Sequence, residues 1–190
     1  VMEPLLEAAG LSKRFGGIEA VRSVDFRVYA GETVGLIGPN GAGKTTLFEL
    51  LSGFTVPDEG VITLRGHRLA WPGRLGRFAS LPAERRGDLG LVRSFQDAAL
   101  FPTLTVEDCL MLAQERRLPA PSYSSMTGAR ESELRKQESA TGFLERFGLA
   151  PHRTRRISEL STGMRRITEL ACLVAQEPTL LLLDEPSAGI

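Results

Sequence analysis

Two short stretches combine residue types whose spacing points to phosphate chemistry. The first, GPNGAGKTT at residues 38–46, fits G-x-x-x-x-G-K-[ST] and lies between an apolar run, TVGLIG, and a helix-like segment, KTTLFELLSGF. Glycines let a backbone wrap closely around a polyphosphate and take positive φ where a turn requires it. Loop N–H groups and the following helix N-terminus then face the anion. The candidate nucleotide-binding residues are Gly38, Pro39, Asn40, Gly41, Ala42, Gly43, Lys44, Thr45 and Thr46. Among them, Lys44 can reach β- and γ-phosphates as a point charge, and the Thr45 hydroxyl can ligate Mg²⁺. A glycine-rich turn that happens to precede a lysine is the plainer alternative; the flanking strand-like and helix-like segments argue against it.

The second stretch is LLLLDEPSAGI, residues 180–190. Four leucines suit a buried strand, and two acids follow at once. In parallel sheets ligands collect at the carboxyl ends of strands, so such a strand can deliver acids to bound phosphates. Asp184 suits the hydration shell of Mg²⁺. Glu185 suits the general base that polarises an attacking water. Alone, the segment would read as a strand ending in an Asp-Glu-Pro turn; the phosphate loop upstream favours the catalytic reading.

The bulk properties set the frame for these residues. At 190 residues the chain is long enough for one well-packed domain. It is 42% hydrophobic and 24% charged, with 23 basic and 23 acidic residues. That balance provides no field to attract nucleic acid or a membrane surface. Cys109 and Cys172 lie far apart without histidines at metal spacing and read as buried thiols. No apolar stretch approaches the roughly 20 residues needed to span a bilayer. The first residues, VMEPLLEAAG, lack the basic start of a secretory signal, and a cytosolic location is expected.

The elements that must position the site can be read in outline. SVDFRVYAGE alternates like a half-buried strand, TVGLIG reads as a strand covered on both faces, and residues 61–64 as an exposed strand. Leu47, Leu50 and Leu51 share a helical face that Gly53 stops. Residues 69–93 hold five arginines and read as a solvated connection with a short helix after Pro82. TVEDCLMLAQERR predicts a helix capped by Thr105, and LPAPSYSSMTG a flexible loop. Residues 129–149 resume helical spacing. STGMRRITELACLVAQEP predicts an amphipathic helix with Ile167, Leu170, Ala171 and Val174 as its stripe, and Ser161 is a good N-cap for it. The order of the elements suggests an α/β core with a helical insertion.

With RSFQ (residues 93–96) and LSTGMRR (residues 160–166) added, the chain resembles the nucleotide-binding domain of an ABC ATPase from LSKRFGGIEAV onward. RSFQ and SAGI make it most similar to the ATP-binding subunits of branched-chain amino acid importers. The resemblance implies an α/β fold with a P-loop NTPase core built on a parallel sheet, an N-terminal antiparallel β subdomain and an inserted helical subdomain. It implies one ABC-type domain over residues 1–190, with a nucleotide-binding core at 1–96 and 166–190 and a helical subdomain at 97–165. It implies that Phe15 stacks on adenine and that Gln96 reaches Mg²⁺ and the attacking water while sensing a transmembrane partner. Catalysis would then rest on Glu185, Lys44 and Gln96, with Thr45, Gln96 and Asp184 around the metal. Ser161, Thr162 and Gly163 would form a signature loop that caps the γ-phosphate on an opposite subunit, although the commoner signature has glycine at 162 and glutamine at 164.

The implied cofactors are ATP and Mg²⁺. The implied partners are a second nucleotide-binding domain, as homodimer or heterodimer, and transmembrane permease subunits on the inner face of the cell membrane; nucleic acid is not among them. A soluble ABC-type ATPase acting on ribosomes or nucleic acid, or another P-loop NTPase, is the alternative. The family's switch histidine has no counterpart in His67 or His152, and the chain ends in the loop after the acids. A C-terminally truncated domain with weak ATP binding and little hydrolysis is therefore expected.

Overall fold

The computed structural model describes residues 3–73, 78–95, 100–118 and 126–185. The chain divides into two compact units, Val1–Leu91 and Val92–Ile190.

Alternating side chains build the first unit. Strands β1 (Leu6–Phe15) and β2 (Ile18–Val28) form a hairpin, and β3 (Glu59–Leu64), β4 (His67–Pro72) and β5 (Phe78–Ser80) extend it into an antiparallel sheet ordered β2-β1-β3-β4-β5. Leu6 lies opposite Val28 on one side and Leu64 on the other. Leu6 and Ala8, and Ile62 and Leu64, are buried with the two-residue period of a one-sided sheet; Leu11, beyond a register shift, and the adjacent Leu69 and Ala70 are buried as well. Residues 61–64 are therefore not an exposed strand. They belong to a strand inside the sheet whose Ile62 and Leu64 face the core, because β1 and β4 pair with both of its edges.

The phosphate-loop helix, α1 (Lys44–Ser52), buries Leu47, Leu50 and Leu51 as the spacing predicts. Gly53 ends it in the left-handed region at φ 88°, donating its N–H to Glu49 O. A Cβ at Gly53 would come within 2.7 Å of Arg86 Nε, so glycine also makes room for that guanidinium. Arg86 belongs to α2 (Ala83–Asp88) and corrects the reading of residues 69–93 as simply solvated. Its side chain is fully buried and donates to Leu50 O (2.6 Å), Leu51 O (2.7 Å), Leu81 O (2.8 Å), Leu69 O (3.3 Å) and Ser80 Oγ (2.8 Å). Burial pulls this guanidinium down to about 10. It therefore stays protonated at neutral pH, and its five acceptors satisfy the charge without a carboxylate.

TVGLIG departs from expectation. Residues 33–38 pair with no described strand, and Val34 and Ile37 are 40% and 99% exposed. An apolar run reports what a segment could bury, whereas a strand also needs a partner ladder, which is tertiary information.

In the second unit, α3 (Val106–Ala113), α4 (Met126–Arg146) and α5 (Thr162–Ala175) enclose a core of Val106, Leu110, Leu144, Leu149, Ile157 and Ala171. Thr105 caps α3 in a full capping box with Asp108. Cys109 and Cys172 are free and buried in this core. Burial pushes the Cys109 thiol up to about 11 and the Cys172 thiol higher still. Residues 119–125 of the expected loop lie outside the described residues, and residues 126–128 are already helical. The predicted stripe of α5 is only partly right. Ala171 is buried but Ile167, Leu170 and Val174 are half-buried, and the deeply buried positions include Arg166, Thr168 and Glu169. Strands β6 (Leu91–Arg93) and β7 (Leu180–Leu182) form a separate parallel pair, with Leu180 and Leu182 buried as the leucine run implies.

Candidate functional site

In the first unit the phosphate loop leads directly into α1. Gly43 is the N-cap at φ 84°, and it supplies no side chain to bond the first-turn N–H groups. These donors are the ones a helix N-terminus offers to an anion. A Cβ at Gly43 would sit 2.2 Å from Ala20 O, so β2 passes too close for any other residue. Upstream, Ala42 N–H donates to Pro39 O at 3.2 Å, and Gly41 turns at φ 82°. The Lys44 ammonium curls back over the loop, donating to Gly38 O (2.7 Å) and Pro39 O (2.9 Å). Asn40 and Thr45 are exposed, and Thr46 is half-buried. Phe15 is no core residue: it is 48% exposed, with the Lys13 ammonium 5.4 Å from its ring centre.

Gly43→Ala should destabilise the first unit by at least about 2 kcal/mol, through both the clash and the left-handed φ. Urea unfolding checks this, and a loss below about 0.5 kcal/mol would contradict the packing of β2 on the loop.

In the second unit, the end of β7 turns sharply. Ser94 N–H donates to Leu182 O at 2.9 Å, and the buried Ser94 hydroxyl accepts from the Asp184 N–H at 2.9 Å. Asp184 Oδ2 is buried without a hydrogen bond, 3.6 Å from Arg93 Nη2. A buried carboxylate oxygen left with capacity to accept is the donor type that a hydrated divalent cation takes, so Asp184 fits Mg²⁺. Glu185 is exposed and holds a left-handed backbone at φ 45°. Gln96 lies outside the described residues. Ser161 caps α5, accepting from Met164 N–H at 3.3 Å, and Thr162 and Gly163 open that helix.

Sequence reasoning assigned no role to Arg166, although it stands in LSTGMRR. Its guanidinium donates to Asp184 O (2.8 Å), Glu185 O (3.3 Å) and Phe95 O (2.8 Å), and it pairs with Glu169 at 2.5 Å. The available signal was an arginine and a glutamate one helical turn apart in an otherwise apolar pattern.

A family model described as ABC transporter matches residues 21–188. The chain is 39% identical over 191 residues to the high-affinity branched-chain amino acid transport ATP-binding protein LivG of Escherichia coli K12, spanning 99% of this chain and 71% of that one. It is 37% identical over 190 residues to the corresponding protein BraF of Pseudomonas aeruginosa, with 98% and 71% covered. Among solved structures, MJ1267, an ATP-binding cassette of an ABC transporter, is similar over 100% of this chain and 72% of its own, with a TM-score of 0.78 and 26% identity.

Proposed function

Because this chain belongs to the ABC transporter family of ATP-binding proteins, we propose that it is the ATP-hydrolysing subunit of an importer for branched-chain amino acids or similar small solutes. The observation that carries this reading is the 39% identity to LivG over an alignment covering 99% of the chain.

In this reading the whole chain is one ABC-type ATPase domain, with residues 1–96 and 166–190 forming its nucleotide-binding core and residues 97–165 its helical subdomain. The loop N–H groups and the N-terminus of α1 bind the phosphates, Lys44 neutralises the β- and γ-phosphate charge, and Phe15 stacks on the base. Thr45, Asp184 and Gln96 hold Mg²⁺, which when bound neutralises developing phosphate charge. Glu185 orients and deprotonates the attacking water. Ser161, Thr162 and Gly163 cap the γ-phosphate held by a second nucleotide-binding domain, in a homodimer or heterodimer. ATP favours closure of that pair because it contacts both halves. Closure is passed to permease subunits, which hold the protein at the inner face of the membrane. No described helix is long and apolar enough to cross a membrane.

Deleting the gene should lower uptake of labelled leucine, isoleucine and valine, and a Lys44→Ala copy should fail to restore it. The Lys44→Ala protein should also bind a fluorescent ATP analogue at least tenfold more weakly, about 1.4 kcal/mol or more. Unchanged uptake of all three amino acids would refute the assigned cargo. Unchanged nucleotide affinity would refute the role of Lys44.

A further inference from the structure

Arg166 lies five residues after Ser161, where the segment begins, and the residue is 4% exposed. From α5 it reaches three other points. It donates to Phe95 O, just beyond β6, and to Asp184 O and Glu185 O, just beyond β7. Glu169, one turn along the same helix and 5% exposed, accepts from Nη1 at 2.5 Å and balances the charge. One planar cation therefore ties the signature helix to the ends of both strands in the second unit.

The two carbonyls it holds beyond β7 flank the strained position. Glu185 is a non-glycine residue at φ 45°, a conformation that persists only where surrounding contacts enforce it. Among the described residues, the backbone of this segment is held by the Ser94 hydroxyl on the Asp184 N–H and the Arg166 fork on the Asp184 and Glu185 carbonyls. Lysine cannot reproduce that fork: a single ammonium has no planar array of donors to span Phe95 O, two consecutive carbonyls and a carboxylate together.

We infer that Arg166 is a positioning residue for ATP hydrolysis, fixing the left-handed turn that aims the Glu185 carboxylate and tying it to the backbone at Phe95. The inference rests on the reading of Glu185 as the base.

The test is Arg166→Lys in the full-length protein, compared with Glu169→Gln, which leaves the carbonyl contacts in place. Arg166→Lys should lower kcat roughly ten- to a hundredfold, the scale of a small misplacement of a catalytic group, with the affinity for a fluorescent ATP analogue within about twofold of wild type. Amide hydrogen exchange should rise in peptides covering residues 92–95 and 180–185 and stay unchanged in α3 and α4. Glu169→Gln should keep kcat within about threefold of wild type. Three results would each overturn the inference: an Arg166→Lys kcat within threefold of wild type, exchange rising equally in α3 and α4, or Glu169→Gln losing as much activity as Arg166→Lys. Failure of the underlying base assignment shows separately, as retained turnover in Glu185→Gln, and the exchange pattern does not depend on it.

Discussion

Glu185→Gln in the full-length protein is expected to lower ATP turnover by about 10²- to 10⁴-fold, the usual worth of a positioned general base, while nucleotide affinity stays within about twofold. Glutamine keeps the shape and hydrogen-bonding reach of the side chain and removes its basicity. Glu185 is exposed just past β7, beside the carboxylate of Asp184, whose Oδ2 is buried without a hydrogen bond. The two acids are thus in different surroundings: one is withdrawn and suited to a cation's hydration shell, the other is open to water. Asp184→Asn should accordingly reduce the Mg²⁺ dependence of nucleotide binding, which Glu185→Gln should leave alone. Single-turnover hydrolysis together with binding of a fluorescent ATP analogue separates the two effects. Turnover undiminished in Glu185→Gln would remove this residue from the chemistry.

Arg86→Met is expected to cost the first unit about 3–5 kcal/mol, because several buried acceptors lose their donor at about 1–3 kcal/mol each. The arginine's acceptors include Leu50 O and Leu51 O in the last turn of α1, where no intrahelical donor follows. Methionine fills similar volume but leaves those carbonyls buried without their donor. At roughly 2–4 °C per kcal/mol for a chain of this size, the melting temperature should fall by about 6–20 °C. The far end of α1 carries the phosphate loop, so nucleotide affinity should weaken as well. Thermal and urea unfolding measure the first effect, and a loss below about 1 kcal/mol would show the network to be dispensable.

Features set by neighbours in the chain were legible in the sequence. The N-caps Thr105 and Ser161, the buried leucines of α1, the stop at Gly53 and the short buried β7 all depend on local spacing and cap chemistry. The phosphate loop was legible because its glycines, lysine and threonine fall close together within residues 38–46. What escaped depended on partners remote in sequence. Arg86 was counted among five surface-like arginines because nothing in residues 69–93 announces the carbonyls of α1. Arg166 was passed over for the same reason, since its acceptors lie up to 71 residues away. Val34 and Ile37 show the opposite error, apolar residues read as buried that lie exposed. The stripe on α5 was misjudged because a paired Arg166 and Glu169 can be buried as deeply as leucine, which a hydrophobic period cannot register.

The hydrogen bonds from Lys44 to Gly38 O and Pro39 O bear on how selective the phosphate loop can be. An ammonium has three donors, and two are directed at the loop's own backbone. The rotamer freedom of this long side chain, worth up to about 2 kcal/mol, is therefore surrendered when the loop folds rather than when a phosphate arrives. A ligand meets a cation already in place and loses little entropy in ordering it. It must also share or displace those two carbonyls, which a singly charged anion does poorly and a polyphosphate does well. In the proposed reading, discrimination between a nucleotide and the simple anions of the cell would begin in the resting geometry of the loop.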